Sequence, residues 1–272
     1  MTEVTIPRRL PGPVPVLAVQ VRYQLTLLVR NSRALMTGLV LPAVLLALEL
    51  GRVQHIGSTA AGMAVLAPRV AGLFLFSTAA IALFTHANAL VAAREDGVLR
   101  RWRAAPLRPG AYFAGKIVAT VLAADLAGAI LVAVSVEMAK LQLTAHAVVA
   151  MLAAGTLGAL AFAAVGTALT ALISTVQSAQ PMLMLTYLPL VFLSGAFGPI
   201  DSLPHWLTTA MTYLPAQPLA DALSAALLHG GGAPMPGRDA AVLAGWLLGG
   251  LLLSLRFFRW DPHRPGHARR AD

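Results

Sequence analysis

Long apolar runs separated by short polar segments make up most of this chain. A helix needs roughly 20 apolar residues to cross a bilayer, and six runs approach or exceed that length. In chain order they are residues 34–50, 70–93, 117–136, 147–174, 181–197 and 240–258. The fourth run is longer than a bilayer requires, so we expect its helix to tilt or protrude. The pattern predicts an all-α membrane protein with six transmembrane helices.

The segment before the first span has a different pattern. Residues 1–13 are polar and rich in proline, and we expect a disordered tail. Beyond them one helical face is apolar and the opposite face is polar. The apolar residues are Leu17, Val21, Leu25 and Leu28, and the polar ones are Arg22, Thr26 and Arg30. This predicts an amphipathic helix in the membrane interface, where the transmembrane domain of residues 14–260 begins. A short soluble helix is the alternative, and residues 261–272 are expected to form a cytoplasmic tail.

The external segment 198–239, between spans five and six, is also patterned. Apolar residues recur at helical spacing from Trp206 to Leu227, interrupted by Pro215 and Pro218. Two short helices broken by prolines predict a re-entrant hairpin, which is stable in a membrane only where protein or a cavity covers its backbone.

Composition supports a membrane protein. Of the 272 residues, 58% are apolar and only 11% charged, which is too little polar surface for a soluble domain. The chain has no cysteine, which excludes disulfides and thiolate chemistry. Sixteen of the 20 basic residues lie in the N-terminal segment, the central segment 94–116 and the C-terminal segment. The positive-inside rule therefore places both termini in the cytoplasm and explains the net charge of +9 without nucleic acid.

Two ionisable residues lie inside predicted spans, His86 in the second and Asp125 in the third. Such residues are costly in lipid and normally face protein or a water-filled path. They could line a substrate route, or form a structural pair between the two spans. No catalytic set accompanies them. The glycines before Lys116 have the spacing of a phosphate-binding loop, but Ile117 stands where Ser or Thr would be needed, so we expect this chain to bind no nucleotide. Its seven histidines do not cluster at metal-ligand spacing, so we expect no metal cofactor either.

The central segment 94–116 is a charged island between two spans. It reads Arg-Glu-Asp-Gly-Val-Leu from residue 94, reaches Ala-Ala-Pro at 104–106, and ends on Gly115-Lys116 as a span opens. This resembles the cytoplasmic loop of ABC-2 type permeases, the membrane subunits of ATP-binding-cassette exporters, and within that family it resembles the daunorubicin-resistance exporters. Leu-Pro-His-Trp at 203–206, Leu214-Pro215 and Phe-Arg-Trp at 258–260 agree with the resemblance.

The resemblance implies that this loop is a coupling helix that docks on a separate ATPase. An acidic start at Glu95 and Asp96 would suit the helix dipole, and Val98, Leu99 and Trp102 would be apolar anchors. The residues expected to couple the two subunits are Arg94, Glu95, Asp96, Gly97, Leu99, Arg100, Trp102 and Pro106. The alternative is a surface loop whose basic side chains reach the lipid headgroups.

The implied function is outward transport of a hydrophobic or amphipathic substrate such as a drug, antibiotic, lipid or polyketide. Its expected partners are two copies of a P-loop ATPase that holds ATP and magnesium, a second permease copy or a paralogue, and membrane lipid. The implied location is the bacterial plasma membrane. An ion-coupled carrier without ATPase, which would use Asp125, and a membrane-embedded enzyme are the rival hypotheses.

Overall fold

The computed structural model describes residues 13–53, 60–104, 109–139, 143–192, 204–230 and 235–258. The predicted all-α architecture is confirmed, since these residues form helices and turns and contain no strand. The α-helices are α1 Pro13–Arg30, α2 Ser32–Leu35, α3 Leu41–Val53, α4 Ala60–Ala79, α5 His86–Glu95, α6 Val98–Ala104, α7 Pro109–Ala139, α8 Ala145–Leu169, α9 Val176–Phe192, α10 His205–Met211, α11 Ala216–Leu228 and α12 Gly237–Phe257. Two π-helical turns interrupt them, π1 at Met36–Val40 and π2 at Ala80–Thr85.

One continuous helix lies at the centre of the bundle. It consists of α4, π2 and α5. Of its most apolar 18-residue stretch, 94% is buried by the rest of the chain. Its apolar stretch Gly62–Glu95 has 34 residues, which span about 50 Å at 1.5 Å per residue. The hydrocarbon core of a bilayer is only about 30 Å thick. This central helix is therefore long enough to extend beyond the membrane at one end or both.

Five helical stretches among the described residues are long and apolar enough to cross a membrane. They are Ser32–Gly51, Gly62–Glu95, Gly110–Met138, Ala145–Leu169 and Gly237–Phe257. The helix of predicted span four ends at Leu169, before the expected residue 174, because the chain turns there. The helix of predicted span five begins at Val176, and its described part ends at Phe192. The rest of that span lies outside the described residues, so the count of six remains a prediction.

Helix α1 packs along α7 at a point of close approach. A Cβ added at Gly115 would lie 2.4 Å from Cγ of Gln20. The side of α1 that faces the bundle carries the buried Gln20 and Gln24, while Val19 and Leu27 are exposed. The sequence predicted an amphipathic helix, and the structure adds that the buried side of α1 contains Gln20 and Gln24 as well as Leu28, which packs on the core.

The two π-turns pack against each other where the first membrane helix crosses the central helix. A Cβ at Gly38 in π1 would lie 2.6 Å from Cγ1 of Ile81 in π2. Pro42 has no N–H to donate to the Gly38 carbonyl, its α-helical partner four residues earlier, and that carbonyl accepts a hydrogen bond from the Ser77 hydroxyl. The freed backbone oxygen thus finds its partner on the neighbouring helix, as a helix break inside a membrane requires.

Small residues on α8 let several helices approach it closely. Leu219 of α11 lies over Gly158, where a Cβ would be 2.5 Å from Leu219 Cδ2. At Gly166 a Cβ would be 2.9 Å from the carbonyl oxygen of Leu83 in π2. Close packing is a main source of helix association in lipid. α8 is therefore held directly against the backbone of the central helix.

The segment predicted to be re-entrant contains two short helices, α10 and α11, separated near Pro215. Helix α11 buries Leu219 and Leu223 completely against α4 and α8. The two helices agree with the sequence pattern. Their depth in a membrane remains a prediction.

Candidate functional site

Helices α5 and α6 are joined by a tight turn at Asp96 and Gly97. Gly97 has a φ of +69°, in the left-handed region that glycine adopts without strain. Its N–H donates to the carbonyl of Arg94 at 3.1 Å, which ends α5. Glu95 and Asp96 consequently lie at the end of α5, and the first turn of α6 contains no acidic residue. The predicted acidic start of the coupling helix is therefore wrong, because the glycine turn separates these carboxylates from α6.

The apolar side of α6 faces its own chain. Leu99 is 0% exposed and forms a small core with Leu90 of α5 and Tyr112 of α7. Trp102 is half-buried, with its ring centroid 5.5 Å from that of Tyr112. In this conformation Leu99 offers no surface to a partner. These two side chains instead fasten α6 to the ends of α5 and α7.

The opposite side of α6 is polar and basic. Asp96, Arg100 and Arg101 are exposed, and the Arg101 guanidinium donates to the Asp96 carbonyl at 3.1 Å. Pro106, the last residue expected to take part in coupling, lies outside the described residues. The surface available to a partner is thus the exposed basic face around Arg100 and Arg101.

Arg94 is engaged within the chain. Its side chain is only 4% exposed, and its guanidinium donates to the carbonyl of Thr170 at 3.0 Å and to the carbonyl of Ile173. These carbonyls lie at and just beyond the C-terminus of α8, where unpaired carbonyls carry partial negative charge. A guanidinium placed there satisfies these acceptors and stabilises the helix end.

Glu95 binds the N-terminus of α9, the helix that follows α8. Its carboxylate accepts a hydrogen bond from the Val176 N–H at 2.7 Å, at the first residue of α9. Thr175 and Ser178 complete this end, because each hydroxyl accepts the other residue's N–H at 3.3 Å. A carboxylate at a helix N-terminus satisfies a free donor and interacts favourably with the helix dipole.

His86 is buried between hydroxyl groups of two other helices. Its Nδ1 lies 3.0 Å from Thr120 Oγ1 on α7, and its Nε2 lies 3.0 Å from Thr167 Oγ1 on α8. The Thr167 hydroxyl donates to the Ala163 carbonyl at 2.7 Å, so its oxygen accepts a hydrogen bond from Nε2–H of His86. In a neutral ring Nδ1 then accepts from Thr120. His86 thus joins the central helix to α7 and α8.

Asp125 has surroundings of its own. Its Oδ2 accepts a hydrogen bond from the Thr156 hydroxyl on α8 at 2.7 Å, and its Oδ1 has no partner among the described residues. The two ionisable residues are both described, and no hydrogen bond connects them. Asp125 and His86 therefore do not form the structural pair that was one of the two predictions. Each residue instead contacts its own threonine on α8.

Sequence reasoning missed the partners of these groups. Thr120, Thr156 and Thr167 are ordinary residues for a membrane helix, and the connection between α8 and α9 showed no pattern. One signal was available, because the Thr175–Ser178 spacing is typical of a helix N-terminus. It would have placed the start of α9 earlier and brought the connection into view.

The described residues form an all-α membrane protein in which a short helix, α6, extends from the end of a long, buried central helix. A model of the ABC-2 type transporter family matches residues 17–228. The chain therefore belongs to the ABC-2 type transporter family and is the multi-pass membrane subunit of an ABC transporter, which works with an ATPase. A search of curated proteins finds no significant match to the chain.

Proposed function

We propose that this chain is the membrane half of an exporter that moves a hydrophobic or amphipathic substrate outward. The ATPase is a separate P-loop subunit present in two copies, and it holds the ATP and magnesium. Two permease chains, identical or paralogous, complete the path, because one bundle encloses little space. The location is the bacterial plasma membrane, with both termini in the cytoplasm.

One observation carries this proposal: α6 is fixed to the end of the central helix and leaves a basic face exposed. A partner that presses on Arg100 and Arg101 would move a rigid body, because Leu99 fills a core shared with α5 and α7. Arginine is favoured at protein interfaces, and a basic face steers an acidic partner surface towards it. α6 is therefore a suitable site for the ATPase to dock.

The buried polar groups have different roles in this mechanism. His86 has hydroxyl partners at both ring nitrogens, so it serves to hold three helices together. Asp125 keeps an unpaired carboxylate oxygen among the described residues and lies where α7 meets α8. We assign Asp125 to the wall of the substrate path.

The proposal is tested by purifying the chain from its native membranes in mild detergent and identifying the proteins that accompany it. We expect a stoichiometric P-loop ATPase and, after reconstitution, substrate movement that requires ATP and magnesium and is blocked by vanadate. A chain that purifies alone, with transport insensitive to ATP, would overturn the proposal.

The unpaired oxygen of Asp125 favours a second candidate, transport driven by an ion gradient. A midplane carboxylate can bind a proton or a cation, as it does in many secondary carriers. The same reconstituted vesicles separate the two, because dissipating the ion gradients with ionophores would stop the carrier and leave ATP-driven transport intact.

A further inference from the structure

We propose that Arg94 and Glu95 are positioning residues that transmit the movement of α6 to α8 and α9. The inference rests on the proposed function, because it takes α6 as the helix on which the ATPase docks. It gives these two residues an intramolecular role in place of contact with the ATPase. We call the two side chains, with the backbone atoms that they bind between residues 170 and 176, the inner clamp.

The inner clamp binds two helix ends of opposite polarity with two adjacent residues of opposite charge. The Arg94 guanidinium binds carbonyls at and beyond the C-terminus of α8, and the Glu95 carboxylate binds the first N–H of α9. Each charge has the sign that stabilises the helix end it touches. Reversing the order of the two charges would oppose both helix dipoles, so the order itself is matched to the two ends.

The inner clamp is also directly connected to α6. Both residues are the last of α5, and only Asp96 and Gly97 separate them from α6. The core around Leu99 and Tyr112 holds α6 against α5 and α7, and the Arg101 guanidinium reaches back across the turn to the Asp96 carbonyl. A displacement of α6 therefore moves Arg94 and Glu95, and through them the connection between α8 and α9.

The inner clamp contacts α8, the helix that carries the hydrogen-bond partners of His86 and Asp125. Helix α8 carries Thr167, the partner of His86, and Thr156, the partner of Asp125. A pull at the C-terminus of α8 acts on both contacts. α9 starts at the clamp as well, so the two helices receive the movement together.

The first experiment compares Glu95→Ala with Glu95→Gln and the control Glu137→Ala in the complex with the ATPase. We expect Glu95→Ala to assemble and hydrolyse ATP normally, while transport per ATP hydrolysed falls about fivefold or more. The amide oxygen of Glu95→Gln can still accept a hydrogen bond from the Val176 N–H, so this variant should recover most of the transport per ATP hydrolysed. Glu137 is an exposed carboxylate at the C-terminal end of α7, and Glu137→Ala should match the wild type.

The second experiment measures the movement itself. The chain has no cysteine, so spin labels can be placed at Leu172→Cys, where the side chain is 72% exposed, and at Ala104→Cys on α6. With Glu95 in place we expect one narrow distance between the labels, unchanged by nucleotide. In Glu95→Ala the distance should broaden when the ATPases close. A residue that only stabilised the helix end would leave this distance unchanged.

Two results would overturn the inference. One is a Glu95→Ala complex with the wild-type transport per ATP and the wild-type label distance. The other is failure of Glu95→Ala to bind the ATPase while the chain stays folded, since Glu95 would then be a docking residue. If the wild-type chain binds no ATPase, the proposed function fails instead, and faster amide exchange of the Val176 N–H in Glu95→Ala would still report the contact.

Discussion

Two pairs of charged residues lie close together in the sequence and make different contacts. Arg94 is buried and Glu95 is exposed, but both bind backbone atoms distant in the sequence, 76 and 81 residues away. Arg100 and Arg101 are exposed on α6, and Arg101 binds the carbonyl of Asp96 in the adjacent turn. All four belong to the same charged island, and a count of charges cannot separate them. The difference is their position relative to the turn at Asp96 and Gly97. Arg94 and Glu95, at the end of α5, meet the ends of α8 and α9, whereas residues of α6 face outward or into the small core.

Truncating Leu99, on the side of α6 that faces its own chain, should have the largest effect on stability. Leu99→Ala removes a side chain that is 0% exposed, and such truncations cost about 2–5 kcal/mol of stability. We expect a clear fall in the unfolding temperature of the purified chain in detergent. Val98→Ala, one residue earlier and partly exposed, is the matched control and should change it little. Equal small effects for both variants would mean that α6 is not anchored through Leu99.

The exposed side should affect assembly and leave stability unchanged. Arg100→Glu with Arg101→Glu places acidic groups opposite the acidic surface expected on the ATPase, and we expect affinity to fall about tenfold or more. Pull-down and calorimetric titration measure this, and the unfolding temperature should not move. Arg256→Glu, an exposed charge reversal on α12, should bind normally. Unchanged affinity in the double variant would exclude this face as the docking surface.

Substituting Gly97, in the turn between the two charged pairs, should have the smallest effect on stability. Gly97→Ala has open space around its Cβ but must keep a positive φ, which costs about 1–2 kcal/mol. Gly110→Ala is the control, since it also meets open space and lies in a helix, where alanine is preferred to glycine. We expect unfolding temperatures that move in opposite directions. A fall of the same size in both variants would show that backbone strain at residue 97 is not the cause.

Periodicity and composition were sufficient for the all-α architecture, whereas the count of six spans remains a prediction. They predicted the amphipathic entry helix, the long apolar helices, and the two short helices on either side of Pro215, because each pattern reports the immediate surroundings of a helix. The π-turns could not be predicted, since a change from four- to five-residue hydrogen bonding leaves no separate apolar period. Pro42 indicates a break in the helix hydrogen bonds, but it does not show that the break is a π-turn.

The partners of the polar groups required the fold. Arg94 binds a carbonyl 76 residues away, and His86 binds a hydroxyl 81 residues away. Contacts at that distance depend on which helices become neighbours, which the pattern of a single helix does not determine. The sequence therefore identified the right residues as unusual, and the structure assigned Arg94 and Glu95 to their own chain.

Amide hydrogen exchange at Val176 tests the central difference between the two pairs most directly. In the isolated chain this N–H donates to the Glu95 carboxylate, and side-chain caps contribute about 1 kcal/mol. We predict that Val176 exchanges about fivefold faster in Glu95→Ala and at the wild-type rate in Arg100→Glu with Arg101→Glu. An exchange rate that is unchanged by Glu95→Ala would contradict the account, because Glu95 would then be free to face the ATPase.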